Sequence, residues 1–98
     1  MTRASSLRQA PGLAEVRHAD HAVVLNLPRV EQQQSPYLFE GVAFEIWTRI
    51  DGARTIDDVA GELAAAHGGG AEEITEAVAA FVAELTALGL VERVAPLN

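Results

Sequence analysis

Three apolar stripes separated by glycine-containing stops occupy residues 42–88 and constrain the fold of this chain more than any other feature. Within each stripe, apolar residues recur at the three- and four-residue spacing of one buried helical face. Asp51-Gly52 follows the first stripe and Gly68-Gly69-Gly70 the second, as expected where a helix ends, and Thr55 and Asp58 have capping-box spacing. The stripes contain Val42, Ala43, Ile46, Trp47 and Ile50; Ile56, Val59, Ala60, Leu63 and Ala66; and Ile74, Val78, Phe81, Leu85 and Leu88. We therefore predict three helices, the third over residues 71–88.

Short apolar segments before the first helix predict a small antiparallel sheet. Residues 21–27 are rich in β-branched and apolar side chains, which favours a strand. Residues 13–17 alternate weakly, and residues 36–40 place Tyr37 and Phe39 on one face with Leu38 on the other. Residues 90–94 are predicted to form a further short strand or a docked tail.

The composition is that of one small domain. The 98 residues are 49% hydrophobic and include no cysteine, so the chain is expected to fold around one core without disulfide support. We predict a disordered arm over residues 1–12 and one domain over residues 13–98. Its predicted class is α+β and winged-helix-like, with a three-stranded antiparallel sheet packed on three helices. No stretch resembles a signal peptide or a membrane span, so a cytoplasmic protein is expected.

The net charge of −7 argues against binding to nucleic acid. Proteins that bind duplexes neutralise phosphates with Lys and Arg, whereas this chain has 7 basic and 14 acidic residues. A winged-helix transcription regulator is nevertheless the main alternative, because three helices and a small sheet fit that class too. Its recognition helix would begin with Glu72, Glu73 and Glu76, which repel phosphates.

No residue pattern indicates an enzyme, a metal site or a cofactor site. His18 and His21, three apart in a predicted strand, would project to opposite faces, and His67 has no evident partner. Ser5, Ser6 and Ser35 have no glycine-framed elbow or nearby base. The glycine run 68–70 is not followed by Lys-Ser or Lys-Thr, so it is interpreted as a helix stop rather than a phosphate-binding loop.

Two features suggest a peptide-binding surface. The strand with Tyr37 and Phe39 is predicted to lie at a sheet edge, where unpaired amides and carbonyls can accept a strand from another chain. On the third helix, Val82 lies off the main stripe, and the face it shares is small and mildly apolar. The other members of that face are Thr75, Ala79 and Thr86.

The ordered motifs of the chain resemble the PqqD-like family, the precursor-peptide recognition elements of pathways that make ribosomally synthesised, post-translationally modified peptides. The resemblance covers His21 to Glu92. Its motifs are Pro-Tyr-Leu-Phe-Glu-Gly-Val-Ala-Phe-Glu-Ile-Trp (36–47), Ile-Asp-Gly (50–52), Arg-Thr-Ile-Asp-Asp-Val (54–59), Phe-Val-Ala-Glu-Leu (81–85) and Leu-Gly-Leu-Val (88–91).

The resemblance implies a non-catalytic domain that captures the leader segment of a precursor peptide as an added strand and delivers it to a separate modifying enzyme or leader peptidase. The implied peptide-binding residues are Tyr37, Leu38 and Phe39 on the strand, with Thr75, Val78, Ala79, Val82 and Thr86 on the third helix. A bulky charged residue at Val82 would then abolish capture and spare the fold. Relatives that serve lasso-peptide proteases often carry an aromatic pair before the strand-to-helix corner, whereas this chain has only the alternation of Tyr37 and Phe39. A lasso-peptide pathway is one alternative.

Two further alternatives stay open. The exposed strand edge permits pairing with a second copy, which would give a homodimer. A small accessory protein of a redox or radical enzyme is also compatible with the composition, although no residue pattern favours it.

Overall fold

The computed structural model describes residues 6–29, 31 and 35–94, and this part of the chain contains three helices and two three-stranded antiparallel sheets. In chain order the elements are β1 (Ser6–Gln9), β2 (Leu13–Arg17), β3 (His21–Asn26), a 3-10 turn (Leu27–Arg29), β4 (Tyr37–Glu40), α1 (Val42–Thr48), β5 (Asp51–Arg54), α2 (Ile56–His67), α3 (Ala71–Ala87) and β6 (Val91–Val94). The predicted α+β class is confirmed, as is a three-stranded antiparallel sheet with three helices. The winged-helix arrangement is not confirmed.

The first sheet has the order β2-β3-β4 and contains the three strands predicted from the sequence. Its register places Ala22 opposite Phe39 and Val24 opposite Tyr37. These residues share the inner face of the sheet, where Ala22, Val24 and Phe39 are buried and Tyr37 is partly buried. Leu38, on the outer face, is 55% exposed, so the predicted alternation along this strand is confirmed.

The second sheet has the order β5-β1-β6 and was not predicted as a sheet. Its central strand β1 lies in the segment predicted to be a disordered arm, and Leu7 on this strand is fully buried. The prediction is therefore wrong for residues 6–9, and residues 1–5 lie outside the described residues. Leu7 pairs with Arg54 in β5 and Arg93 in β6, so this strand is stabilised by partners distant in sequence.

Local signals placed the helices well, with one exception. The capping box is present: the Thr55 hydroxyl accepts from the Asp58 amide at 3.1 Å, and the Asp58 carboxylate accepts from the Thr55 amide at 3.0 Å. Gly68 ends α2 with a positive φ of 69°. The exception is Asp51-Gly52, which belongs to strand β5, because α1 already ends at Thr48.

Trp47 is the largest fully buried side chain of the core. Its indole N–H has no hydrogen-bond partner among the described residues, and an unpaired buried polar group costs about 1–3 kcal/mol. Burying an aromatic ring removes about 150–250 Å² from water, which stabilises the fold by roughly 4–6 kcal/mol at about 25 cal/mol per Å². Apolar burial therefore outweighs the unpaired donor.

The buried face of α3 is wider than the predicted stripe. Val78 and Leu85 are buried as predicted, but Val82, predicted to lie off the stripe, is 0% exposed. Val82 lies only about 40° around the helix axis from Val78, given 3.6 residues per turn. On α1 the opposite correction applies, because Val42, predicted to be buried, is 56% exposed.

Among the described residues, no helix has the length and apolar character needed to cross a membrane.

The burial of Leu7 predicts that β1 contributes to stability. Leu7→Ala should lower the free energy of unfolding by about 2–5 kcal/mol, because it leaves a cavity in the core. The matched Leu38→Ala variant, on a surface position, should change it by no more than about 0.5 kcal/mol. Urea denaturation followed by circular dichroism measures both. Equal losses in the two variants would contradict a folded β1.

The burial of Val82 reverses the expectation that a charge there spares the fold. Val82→Glu should destabilise the protein by more than about 4 kcal/mol, because it buries an unpaired carboxylate. Ala83→Glu changes the neighbouring residue, which is exposed on the same helix, and should leave the melting temperature almost unchanged. Thermal melts followed by circular dichroism compare the two. A Val82→Glu variant that melts like Ala83→Glu would contradict the observed packing of α3.

Candidate functional site

Strand β4 is an edge strand whose second side is open. Among the described residues it pairs with β3 alone. An edge of this kind presents amide and carbonyl groups that have no partner within the sheet. The predicted edge position of this strand is thus present in the fold.

The hydrogen-bond alternation of the sheet identifies which groups of β4 are available. The His18 amide donates to the His21 carbonyl at 2.8 Å, so the polar backbone groups of His21 point to β2. In an antiparallel ladder successive residues alternate in direction, and those of Ala22 therefore point to β4. It follows that the backbone N–H and C=O groups of Phe39 point back to β3. Those of Leu38 and Glu40 point away from the sheet.

Aromatic contacts fix β4 against two helices. The Phe39 ring lies 5.0 Å from the Trp47 ring of α1, measured between centroids, and 5.9 Å from the Phe81 ring of α3, in an edge-to-face arrangement. Such pairs add about 0.5–1.5 kcal/mol each to the effect of burial alone. The contact with Phe81 also identifies the flank of α3 that faces β4.

The C-terminal end of α3 is held by the β2-β3-β4 sheet and the turn after β3. The side-chain amide of Asn26 donates to the Leu88 carbonyl at 2.9 Å, and Arg29 donates to the Ala87 carbonyl at 3.0 Å. These donors satisfy carbonyls that the helix itself leaves unpaired. Gly89 follows with a φ of 77°, and a Cβ there would meet Asn26 and Arg29 at 3.0 Å. The positive φ therefore favours glycine, and any other residue would also require the Asn26 and Arg29 side chains to shift by a few tenths of an ångström.

The predicted helix residues of the binding site do not all lie on the flank of Phe81. Val78 and Val82 belong to the core. Thr75, Ala79 and Thr86 lie about 120–160° around the helix axis from Phe81. The hydroxyls of Thr75 and Thr86 donate to the carbonyls of Ala71 and Val82, at 2.7 and 2.8 Å. Their assignment to a peptide groove stays a prediction. The residues within about 60° of Phe81 are Ile74, Ala77, Val78, Glu84, Leu85 and Leu88, and of these Ala77, Glu84 and Leu88 are exposed.

Two cavities open beside the C-terminal end of β4, and both include Val42 and His67. The first is an open cleft of about 790 Å³. Its lining includes the carboxylates of Asp20, Glu40 and Glu45, with Phe44 as an apolar member. The second is a pocket of about 150 Å³ between the three helices. It is lined by Val42, Ile46, Leu63, His67, Ile74, Ala77 and Val78.

His21 and His67 form hydrogen bonds with carboxylates, and His18 forms a ring contact with His21. His67 Nε2 lies 2.8 Å from Glu45 Oε2, so His67 does have a partner. His21 Nδ1 lies 2.7 Å from Asp20 Oδ1, and this hydrogen bond lowers the pKa of Asp20. His18 and His21 stack with ring centroids 4.4 Å apart, which corrects the predicted separation of these two rings. Among the described residues, no three His, Cys, Asp or Glu side chains lie close enough to share a metal ion.

Sequence reasoning located the strand edge but missed the features around it. The stripe of α3 included Phe81 without indicating that its ring meets Phe39. The pocket was also missed, because Val42 and Ile74 were both assigned to the core.

Comparisons with known proteins identify the family of this chain. Among solved structures, it is similar to TbiB1 in complex with the TbiA(beta) leader peptide. The sequence identity is 15%, the TM-score is 0.74, and the match covers 87% of this chain and 94% of that chain. At this identity the likeness establishes a common fold. No curated protein matches the chain significantly. A family model described as coenzyme PQQ synthesis protein D (PqqD) matches residues 22–91, which is well over half of the sequence, and the protein therefore belongs to the PqqD family.

Proposed function

We propose that this protein binds the leader segment of a precursor peptide by adding it as a strand to the free edge of β4. The observation that carries the proposal is the outward direction of the Leu38 and Glu40 backbone groups on a strand that has one neighbour. Main-chain hydrogen bonds would supply register, and side-chain contacts would supply specificity. Family membership and the shared fold with a leader-peptide complex support the same role.

The edge of β4 fits this role better than the β2 edge on the opposite side of the same sheet. β2 carries an exposed Arg17–Glu15 ion pair at 2.6 Å and is not flanked by an aromatic contact to a helix. β4 instead lies beside the flank of α3 that carries Phe81, where Ala77 and Leu88 are apolar and Glu84 is charged. A captured strand would therefore meet a mostly apolar wall along one side.

The domain would act without catalysis and would present its leader to a separate modifying enzyme or leader peptidase. A lasso-peptide pathway is one setting of this kind. A second copy of the chain could also pair with the β4 edge, because the same backbone groups would be used. Such a homodimer would compete with leader binding, and size-exclusion chromatography with and without peptide would detect the competition.

Salt dependence separates leader capture from the transcription-regulator alternative. Labelled leader halves of the short peptides encoded beside the gene should raise their fluorescence anisotropy on binding, with micromolar or tighter affinity. The affinity should change less than about threefold between 50 and 200 mM salt, whereas binding through several phosphates would weaken by about 10³ or more. Binding of a labelled DNA duplex is measured in the same way for comparison. Steep salt dependence, or binding to the duplex alone, would contradict the proposal.

The direction of the Leu38 amide gives a sharper test. Leu38→Pro removes an N–H that points out of the sheet, and proline is tolerated at such edge positions. The variant should therefore fold and lose at least tenfold in leader affinity. Leu38→Ala, which keeps the amide, should stay within about threefold of the original affinity, since a surface side chain alone is removed. Thermal melts first establish that both variants fold, and anisotropy titrations then measure their affinity for the leader. Full affinity in a folded Leu38→Pro variant would exclude strand addition at β4.

A further inference from the structure

We propose that the slot between β5 and β6 accepts the β1 strand of a second copy of this chain, so that two copies exchange β1 and form a dimer. In the structure the slot is filled by the chain's own β1. The exchanged dimer differs from one paired through β4, because it leaves the β4 edge open on both copies. It goes beyond leader capture and does not depend on it.

The slot between β5 and β6 requires a strand to fill it. β1 is the central strand of this sheet, and among the described residues β5 and β6 pair with no other strand. The Leu7 side chain of β1 is fully buried in the core, and the Gln9 side-chain amide donates to the Trp47 carbonyl at 3.2 Å. Without β1, the fold would expose two strand edges and leave a cavity in the core.

The side chains of β1 identify a second copy as the other occupant. The register with β6 places Ser6 opposite Val94, and Arg8 forms an ion pair with Glu92 at 2.7 Å. The β1 strand of a second copy brings the same residues, including the buried Leu7, whereas a strand from another protein would have to match all of them. Exchange therefore preserves every contact of β1 and changes only its connection to the rest of the chain.

The position of β1 in the fold makes exchange topologically simple. Among the described residues β1 precedes every other element, so a single connection joins it to them. The strand that follows, β2, belongs to the other sheet and does not pair with β1. Release of β1 therefore separates no other pair of strands.

The connection after β1 is short and contains a glycine in the left-handed region. It consists of Ala10, Pro11 and Gly12, and the Ala10 amide donates to the Leu90 carbonyl at 2.9 Å. Gly12 has a φ of 83°, and a Cβ there would meet the Pro28 ring at 3.1 Å. Short connections of this kind favour strand exchange. An opened connection that extends between two copies needs neither the positive φ nor the close approach to Pro28.

Cysteine substitutions test the exchange directly, because the chain itself has no cysteine. One preparation carries Ser6→Cys and another carries Val94→Cys, at positions directly opposite each other in β1 and β6 and within reach of a disulfide. The matched control uses Ala14→Cys and Leu25→Cys, which are opposite each other in β2 and β3, two strands that do not exchange. Each pair of preparations is mixed at high concentration, partly unfolded in urea, refolded and oxidised.

The disulfide between chains should form in the first mixture far more than in the control. Each chain carries one cysteine, so a disulfide that joins position 6 to position 94 needs two chains. We expect about tenfold more of this product than of the control product, because only exchange holds the two positions opposite each other. Non-reducing electrophoresis and peptide mass mapping measure its amount and identify the joined positions.

The glycine of the connection provides a second measurement. Gly12→Ala disfavours the closed turn through its positive φ and through contact with Pro28, but it does not disfavour the opened connection. The dissociation constant of the dimer should therefore fall by about tenfold or more. Gly61→Ala in α2 is the matched control, since a Cβ there meets nothing within 4 Å, and it should change the constant by no more than about twofold. Light scattering after size-exclusion chromatography, over a dilution series, measures both.

The outcomes separate β1 exchange from the other kinds of assembly. A disulfide yield no higher than that of the control would overturn the exchange, as would a Gly12→Ala variant no more dimeric than Gly61→Ala. A dimer that lacks the disulfide between positions 6 and 94 and dissociates when leader peptide is added would be paired through β4, and it would also overturn the exchange. Neither measurement requires a leader, so a failure of leader capture would leave the exchange standing.

Discussion

The position of the Phe39 ring is the constraint on which the rest of the structure depends. This side chain belongs to a four-residue strand, yet it is only 6% exposed and contacts Trp47 of α1 and Phe81 of α3. An edge strand lacks the second neighbour that would hold a central strand in place. Here aromatic packing beneath the strand replaces that neighbour, so β4 stays ordered while its outer backbone groups remain open. A preformed edge of this kind lowers the cost of ordering when a peptide pairs with it.

The elements that the sequence predicts correctly are those fixed by near neighbours. The stripe of α2 from Ile56 to Leu63, its Thr55–Asp58 capping box and its Gly68 stop all depend on contacts within a few residues, whereas Ala66, also assigned to that stripe, is exposed. The strands β1 and β5 have no comparable signal. Leu7 is the one fully buried residue of β1, and its partners Arg54 and Arg93 lie far along the chain. A strand stabilised in this way is decided by tertiary pairing, which local periodicity does not contain.

In the candidate site, too, features fixed by near neighbours were predictable and features fixed by distant contacts were not. Alternation along β4 was predictable, because successive side chains of any strand point to opposite faces. The flank of α3 that faces β4 was not. A helical stripe identifies which side of a helix is buried, but that arc is wide enough to include Val82. The orientation of α3 relative to the sheet depends on long-range contacts, which include core packing of Val82 and hydrogen bonds from Asn26 and Arg29 to the C-terminal end of the helix.

The short length of β4 bears on how such a site can be specific. Leu38 and Glu40 offer two amides and two carbonyls to an added strand, and four hydrogen bonds contribute roughly 2–6 kcal/mol net, at about 0.5–1.5 kcal/mol each. Micromolar binding needs about 8 kcal/mol, and these bonds are the same for every sequence. A net charge of −7 offers attraction only to basic peptides. Backbone pairing at β4 therefore accounts for only part of micromolar binding and for none of its selectivity, which side-chain contacts must supply.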